Sequence, residues 1–283
     1  MIRLAIQKSG RLSEDSIALI RECGIDFPDP KNKLRCVSGN FPVELLFLRD
    51  DDIPGYVADG TADVGIVGLN VVKEKRKQVE IAEYLGFGKC RLSIAVPKSF
   101  EWKGLADLDG LHIATSYPNV LAEYLSAQNI TASIHEISGS VEIAPGIGLA
   151  EAICDLVSSG GTLLSNGLTE VETVLRSEAV IVTSPNLSEE KREILERLKF
   201  RIKAVHRAQK TKYILLNAPN EKIEEIIGLL PGMKSPTVVP LAMQGWSSIH
   251  SVIHEDQFWE VIENLRNAGA QGILVIPIEK MVL

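Results

Sequence analysis

MIRLAIQKSGRLSEDSIALIRECG, residues 1–24, decides the class of the fold. Residues 2–6 form an apolar-rich run of strand length. Behind it, Ser13 with Glu14 and Asp15 caps a helix whose Ile17, Ile20 and Cys23 share one face before Gly24 ends it. A strand that feeds at once into a helix is half of a βαβ unit. Further runs of the same length stand at 43–48, 63–67, 91–96, 111–115 and 178–183, separated by helix-like stretches with turn residues at their ends. The alternation predicts an α/β protein with mostly parallel sheets.

The pattern changes near residues 185–211, where an amphipathic, charge-rich helix places Leu195, Leu198 and Ile202 on one face and reads as a connector. Beyond it KYILLNA, EKIEEIIGLL, TVVPLA, SIHSVIH, QFWEVIENLRNA and GILVIP read strand, helix, strand, strand, helix, strand. That βαββαβ order is the split, ferredoxin-like arrangement. A chain of 283 residues has room for two or three modules at about 150 residues or less each. No internal repeat is visible in the sequence.

Hydrophobic residues make up 45% and charged residues 24% of the chain, the balance of a globular protein with real cores. The apolar stretch near the start is too short for the centre of a signal peptide, and no run approaches a membrane span. Cys23, Cys36, Cys90 and Cys154 are far apart and form no CxxC pair, which points to a reducing, cytoplasmic setting. The net charge of −7 argues against a nucleic-acid surface. A polyphosphate ligand would have to be held by a few local bases and backbone amides.

EIAPGIGLAEAICDLVSSGGTL, Glu142 to Leu163, carries the most chemistry. Read as a helix over 148–159 it is apolar almost all round, with Glu151, Asp155 and Ser158 as one narrow polar stripe. The stripe runs into Ser158, Ser159, Gly160, Gly161 and Thr162. There two glycines let amides turn inward and three hydroxyls add donors, a cradle suited to phosphate. The plainer reading, in which Gly160 and Gly161 only cap a helix, stays open from these residues alone. Lys8 and Arg11 follow the first strand, and Arg49 ends VELLFLR, so cations reach the strand ends where open α/β sheets gather ligands. Asp50, Asp51 and Asp52 read as helix capping rather than metal ligation. Thr115, Ser116 and Tyr117 in IATSYPN offer hydroxyls at another strand end, with Pro118 opening the next helix. His250 and His254 lack a third ligand and are assigned no metal.

The Glu142–Leu163 segment resembles the signature of the ATP phosphoribosyltransferases, in the long form with a histidine-binding C-terminal domain. Glu142, Gly148, Ala150, Ile153, Asp155, Leu156, Ser159, Gly160, Thr162 and Leu163 match its spacing, and Ser159 stands where many members carry Thr. IQKSGRLSEDS, RDDDIPGYVADGTADVGIVGLNV, CRLSIAVP, IATSYPN, NGLTEVE and the IPIEKM that ends at Met281 resemble the family in the same order.

The resemblance implies a catalytic region of two lobes like periplasmic binding proteins, residues 1–90 with 175–210 and residues 91–174, and a regulatory domain over 211–283. It also implies Mg2+-dependent transfer of the phosphoribosyl group of phosphoribosyl pyrophosphate to N1 of ATP. Lys8, Arg11 and Arg49 are then the expected catalytic cations. Glu142, Glu151, Asp155, Ser158 to Thr162, Thr115, Ser116 and Tyr117 are expected substrate ligands, while the metal ligands are left unassigned. Asn217, Ser235, Thr237 and Ala270 would take inhibitory histidine, with Pro231, Pro236 and Pro240 stiffening that loop. Dimers and hexamers of the chain are implied as well. A solute-binding protein would need an export signal and no phosphate loop, and a non-catalytic amino-acid sensor would have no use for Lys8, Arg11, Arg49 and Asp155.

Overall fold

The computed structural model describes residues 1–29, 33–230 and 235–282. Its elements fall into two units, residues 1–18 with 25–195 and residues 19–24 with 196–283. In the first, β1 (Ile2–Gln7) runs into α1 (Arg11–Glu22), followed by β2 (Arg35–Val37), β3 (Val43–Leu48), α2 (Ile53–Ala58), β4 (Val64–Gly68), α3 (Leu69–Lys75) and β5 (Glu80–Tyr84). The chain then builds a second sheet from β6 (Cys90–Pro97), β7 (His112–Thr115), α4 (Pro118–Ala127), β8 (Ser133–Glu136), β9 (Ala152–Val157), α5 (Gly161–Ser165) and β10 (Leu168–Ser177). It returns to the first sheet as β11 (Ala179–Thr183) and enters α6 (Glu189–Gln209).

The first sheet has the order β2-β3-β1-β4-β11-β5 and the second β10-β6-β9-β7-β8. β1 lies parallel to β3 and β4, and its Ile2, Leu4, Ala5 and Ile6 are wholly buried, as a strand covered on both faces requires. In the second sheet β7 lies parallel to β8 and β9, while β6 is antiparallel to β9 and β10. Strand order reverses beside β1 and again beside β7, and such reversals open crevices at the carboxyl ends of strands. Leu92, Ile94, Ile113 and Leu121 fill the core on one side of the second sheet; Ala95, Ala114, Ile153 and Val157 fill the other.

The expected helix over 148–159 is not formed. Short 3-10 turns cover Val141–Ile143 and Pro145–Ile147, Gly148 takes a left-handed φ of 74°, and residues 152–157 are the strand β9. Its continuous apolarity belongs to a strand paired on both sides, a pattern that cannot be told from a buried helix by periodicity. Glu151, Asp155 and Ser158 therefore form no helical stripe. Asp51 and Asp52 make no capping hydrogen bond; Asp51 instead meets Lys75 at 3.5 Å.

The second unit carries the expected βαββαβ order as β12 (Thr211–Pro219), α7 (Ile223–Leu229), β13 (Thr237–Pro240), β14 (Trp246–His254), α8 (Glu255–Asn267) and β15 (Gln271–Pro277). The sheet is antiparallel in the order β13-β14-β12-β15. Ile214, Leu216 and Ala218 alternate along β12 into one core with Ile226 of α7 and Leu265 of α8. No helix among the described residues is long and apolar enough to cross a membrane.

Candidate active site

The parallel strands of the first sheet end together. The amide of Lys8 donates to Leu48 O at 2.7 Å, and Gln7 pairs with Leu48, so Lys8 and Arg49 lie on neighbouring strand ends. Gly10, with φ 94°, turns the chain so that Arg11 begins α1 at the same edge. Lys8, Arg11 and Arg49 are all exposed. Arg11 and Asp50 line a cleft of about 500 Å³ with Gly68, Asn70, Tyr117 and Ser158.

The second sheet supplies the other wall. Because β7, β8 and β9 are parallel, Thr115–Tyr117, Glu142 and the Ser158–Thr162 loop all follow strands at one edge. Gly160, at φ 82°, is the residue before α5, and Thr162 is exposed. The loop thus offers hydroxyls and a helix's first amides, groups that suit an anion. Asp155 is half-buried, and burial pushes its carboxyl above the usual range, with the charge of Glu142 adding to the shift and the Leu156 amide opposing it.

Other expected ligands sit elsewhere or are already engaged. Glu151 precedes β9, at the far end of that strand from the loop, roughly 20 Å away. Its carboxylate accepts from the His112 amide at 2.8 Å, and that bond holds its pKa below the usual range, so the structure does not bring Glu151 to the cleft. Thr115 is fully buried, with its Oγ1 accepting from the Tyr117 amide at 2.9 Å. Ser116 Oγ donates to Ile137 O at 2.7 Å and braces the turn beyond β8. Burial also pushes the Tyr117 hydroxyl pKa up, so the group stays protonated while it accepts from Asn70 Nδ2 at 3.0 Å.

Asn70 is a residue that sequence reasoning missed. Its backbone amide donates to Ser177 Oγ at 3.0 Å, Ser177 Oγ donates to Asn70 Oδ1 at 2.8 Å, and its Nδ2 reaches Tyr117. One side chain and its amide thereby tie the end of β4 to the last residue of β10 and to Tyr117 after β7, both in the second sheet. A Cβ on Gly68 would stand 2.3 Å from Asn70 Oδ1, so glycine is needed there for close approach. Buried Glu74 adds a second tie, accepting from the amides of Asn119 and Val120 at 3.0 Å each, at the start of α4. The partners lie 45 residues or more away in sequence, so no local pattern announces them.

In the second unit, Asn217, Ser248 and Val239 are cross-strand neighbours on one face, and Thr237 shares that face two residues further along. Ser235 lies beyond Thr237, away from Asn217, and Ala270 is packed into the core beside the helices. The side chains expected to hold histidine are therefore spread along the sheet, and Ala270 has only backbone to offer. Pro231 lies outside the described residues. The same face carries a row that sequence reasoning missed, Tyr213 Oη to His250 Nδ1 at 2.7 Å and Ser248 Oγ to His250 Nε2 at 3.1 Å.

Residues 49–204 match the family model of ATP phosphoribosyltransferase, and residues 208–280 match the model of that family's C-terminal domain. The chain belongs to the ATP phosphoribosyltransferase family. An ATP phosphoribosyltransferase of Cytophaga hutchinsonii is 64% identical over 100% of this chain and 99% of its own length. A chain of the ATP phosphoribosyl transferase complex from Thermotoga maritima superposes with a TM-score of 0.62 at 28% identity, covering 72% of this chain and 99% of the other. A histidine kinase sensor domain similar to periplasmic binding proteins superposes at 0.50 and 12% identity, over 74% of this chain and 91% of its own, a likeness of fold alone. As an ATP phosphoribosyltransferase the chain catalyses the first step of histidine biosynthesis, a pentosyl transfer, and it has the long form's C-terminal domain.

Proposed function

We propose that the cleft holds phosphoribosyl pyrophosphate with its 5-phosphate on the Ser158–Thr162 loop and its pyrophosphate toward Lys8, Arg11 and Arg49. The observation that supports this is the convergence of a neutral amide-and-hydroxyl loop with exposed cations on two strand ends. Asp155 and Glu142 accept from the ribose hydroxyls, and ATP presents adenine N1 to C1 from the Gly68–Asn70 side. As the C1–O bond to pyrophosphate breaks and the N1–C1 bond forms, positive charge grows on the ribose and negative charge on the departing group. Adenine N1 brings its own lone pair, so the work of the site is positional and electrostatic, with arginine forks matched to phosphate oxygens.

Among the described residues no three His, Cys, Asp or Glu side chains cluster as a metal set. Mg2+ takes one or two carboxylates and fills the rest of its shell from phosphates and water, and Asp50 on the cleft wall fits that part. When bound there it neutralises charge on the pyrophosphate.

The third sheet binds histidine through Asn217, Thr237 and Ser235 and restrains the active assembly, which requires histidine to prefer one state over the other. The exposed Val238, Val239, Leu274 and Ile276 on its two edge strands support a homo-oligomer, dimeric and hexameric. The four free cysteines accord with a cytoplasmic enzyme.

The test mixes the purified chain with ATP, phosphoribosyl pyrophosphate and Mg2+, and follows both pyrophosphate and the ultraviolet change of the alkylated adenine. Equal amounts of the two products, formed only when both substrates are present, are expected. Pyrophosphate release without nucleotide would overturn the reading.

A further inference from the structure

Two helices that leave different sheets meet beside the cleft, α3 after β4 and α4 after β7. Asn70 and Glu74 stand one turn apart on α3, and both grip the stretch Tyr117–Val120 that opens α4. α4 has no side-chain cap from its own N-cap residue, and Pro118 brings no N–H. The next two amides, those of Asn119 and Val120, donate to the two carboxylate oxygens of Glu74. The bonding is reciprocal. Asn119 Nδ2 donates to the Glu74 carbonyl at 3.2 Å, in the last turn of α3, where carbonyls lack helical partners. Arg76, which ends α3 at a left-handed φ of 49°, donates to Asn119 O at 2.9 Å and pairs with Glu123 at 3.4 Å. The C-terminal turn of one helix thus meets the N-terminal turn of the other, partial charges of opposite sign.

Capping alone would be served by a serine or aspartate just before the helix. Glu74 is buried instead, and a buried carboxylate is unfavourable unless bonded, so this cap holds only while the sheets keep one spacing. The chain crosses between the sheets twice, over residues 85–89 and at Glu178. Two crossings leave a hinge about the line that joins them. Asn70 bonds to Ser177 beside the second crossing, whereas Glu74 lies one turn, about 5 to 6 Å, further along α3 and fixes the angle. Asn70 and Tyr117 line the cleft, and Glu74 is not part of its wall. We propose that Glu74 is a positioning residue for the pentosyl transfer: it sets the spacing of the two sheets, and through Tyr117 the width of the cleft, without touching either substrate. This rests on the reading above, in which the nucleotide enters from the Gly68–Asn70 side and the donor's 5-phosphate sits on the second sheet. Adenine N1 and C1 must then stand about 3 to 3.5 Å apart, and a misplacement of roughly 1 Å can slow the step about a hundredfold.

The test compares the parent with Glu74→Ala and with the milder Glu74→Gln, which keeps one accepting oxygen but turns an N–H toward the other amide. Both are assayed at a temperature where melting shows the chain folded, and E74Q reads the same quantities if E74A does not fold. In E74A kcat should fall roughly tenfold to a hundredfold, and less in E74Q, while the affinity for ATP alone stays within a factor of about two. Spin labels are placed at Asp59 and Ser126, exposed positions of the first and second sheet's layers, in full chain diluted with unlabelled chain. They should give one narrow distance in the parent, with or without donor, and a longer or broader one in the variants. Variants that melt lower but turn over like the parent would reduce Glu74 to a structural cap and overturn the proposal. A label distance unchanged in the variants, or shifted by donor in the parent, would overturn it too. Should the parent make no phosphoribosyl-ATP, the catalytic reading falls, and the label distances alone decide whether Glu74 sets the spacing.

Discussion

In the first sheet four strands follow the order β3-β1-β4-β11, and in the second the same order recurs as β8-β7-β9-β6, each with its last strand antiparallel. The two sheets nevertheless put their chemistry at different junctions. Beyond β1, the central strand, Lys8 and Arg11 are exposed; at the end of β7, its counterpart, Thr115 is buried and Ser116 is bonded to Ile137 O. The flanking strands reverse this, because the junction after β4 is closed by Asn70 while that after β9 leaves Ser158–Thr162 open. One architecture thus presents formal cations from one side and uncharged donors from the other. Cations suit a group whose charge grows during reaction, and backbone amides suit a phosphate that is merely held.

Loss of a cation from the first sheet should accordingly act on turnover. Arg11→Ala is expected to lower kcat by about 100- to 1000-fold, as removal of a donor to developing charge does elsewhere, with a smaller change in either KM. Steady-state kinetics decide it, and a defect confined to KM would place Arg11 in ground-state binding.

Asp155 tests the second sheet. Its folded-state pKa is raised, so protonation stabilises the fold; that contribution is complete below the unfolded value and is lost as pH rises through the folded one. At neutral pH the charged side chain is a cost. Asp155→Asn should therefore melt higher than the parent near neutrality, with the gap closing in acid, while donor affinity falls about tenfold or more. A variant less stable at neutral pH would break the argument. Glu170 and Glu151 act with the opposite sign, since Arg91 and the His112 amide respectively lower their pKa values and their contribution is lost as pH falls.

The smallest effect is expected at Glu151. Its bonds to the His112 amide and ring stitch β7 to β9 at the edge away from the cleft. Glu151→Gln should leave both Michaelis constants as they are, and a donor KM raised tenfold would restore it to the site.

The comparison also shows what the sequence could disclose. Both catalytic sheets and the βαββαβ sheet follow from apolar runs and turn residues, and β1 with α1 was legible because a helical face begins right after a strand-length run. β9 was not, because AICDLV is apolar apart from Asp155, and burial on both faces of a sheet erases the alternation that marks a strand. The mistake moved Glu151 into the site, since a helix would have stacked it over Asp155. The Ser158–Thr162 loop survived it, because its glycines and hydroxyls follow the element whether that is strand or helix. Asn70 and Glu74 stayed hidden for another reason, as their partners are brought near only by the packing of one sheet's helices against the other's.

The central claim, that the loop after β9 holds the donor's 5-phosphate, meets its most direct test in calorimetric titration of Thr162→Ala with phosphoribosyl pyrophosphate and separately with ATP. Loss of one hydroxyl to a charged phosphate, about 1.5 to 3 kcal/mol, should weaken the donor roughly ten- to hundredfold and leave ATP within a factor of about two. Donor affinity equal to the parent's, or an equal loss for both ligands, would contradict the account.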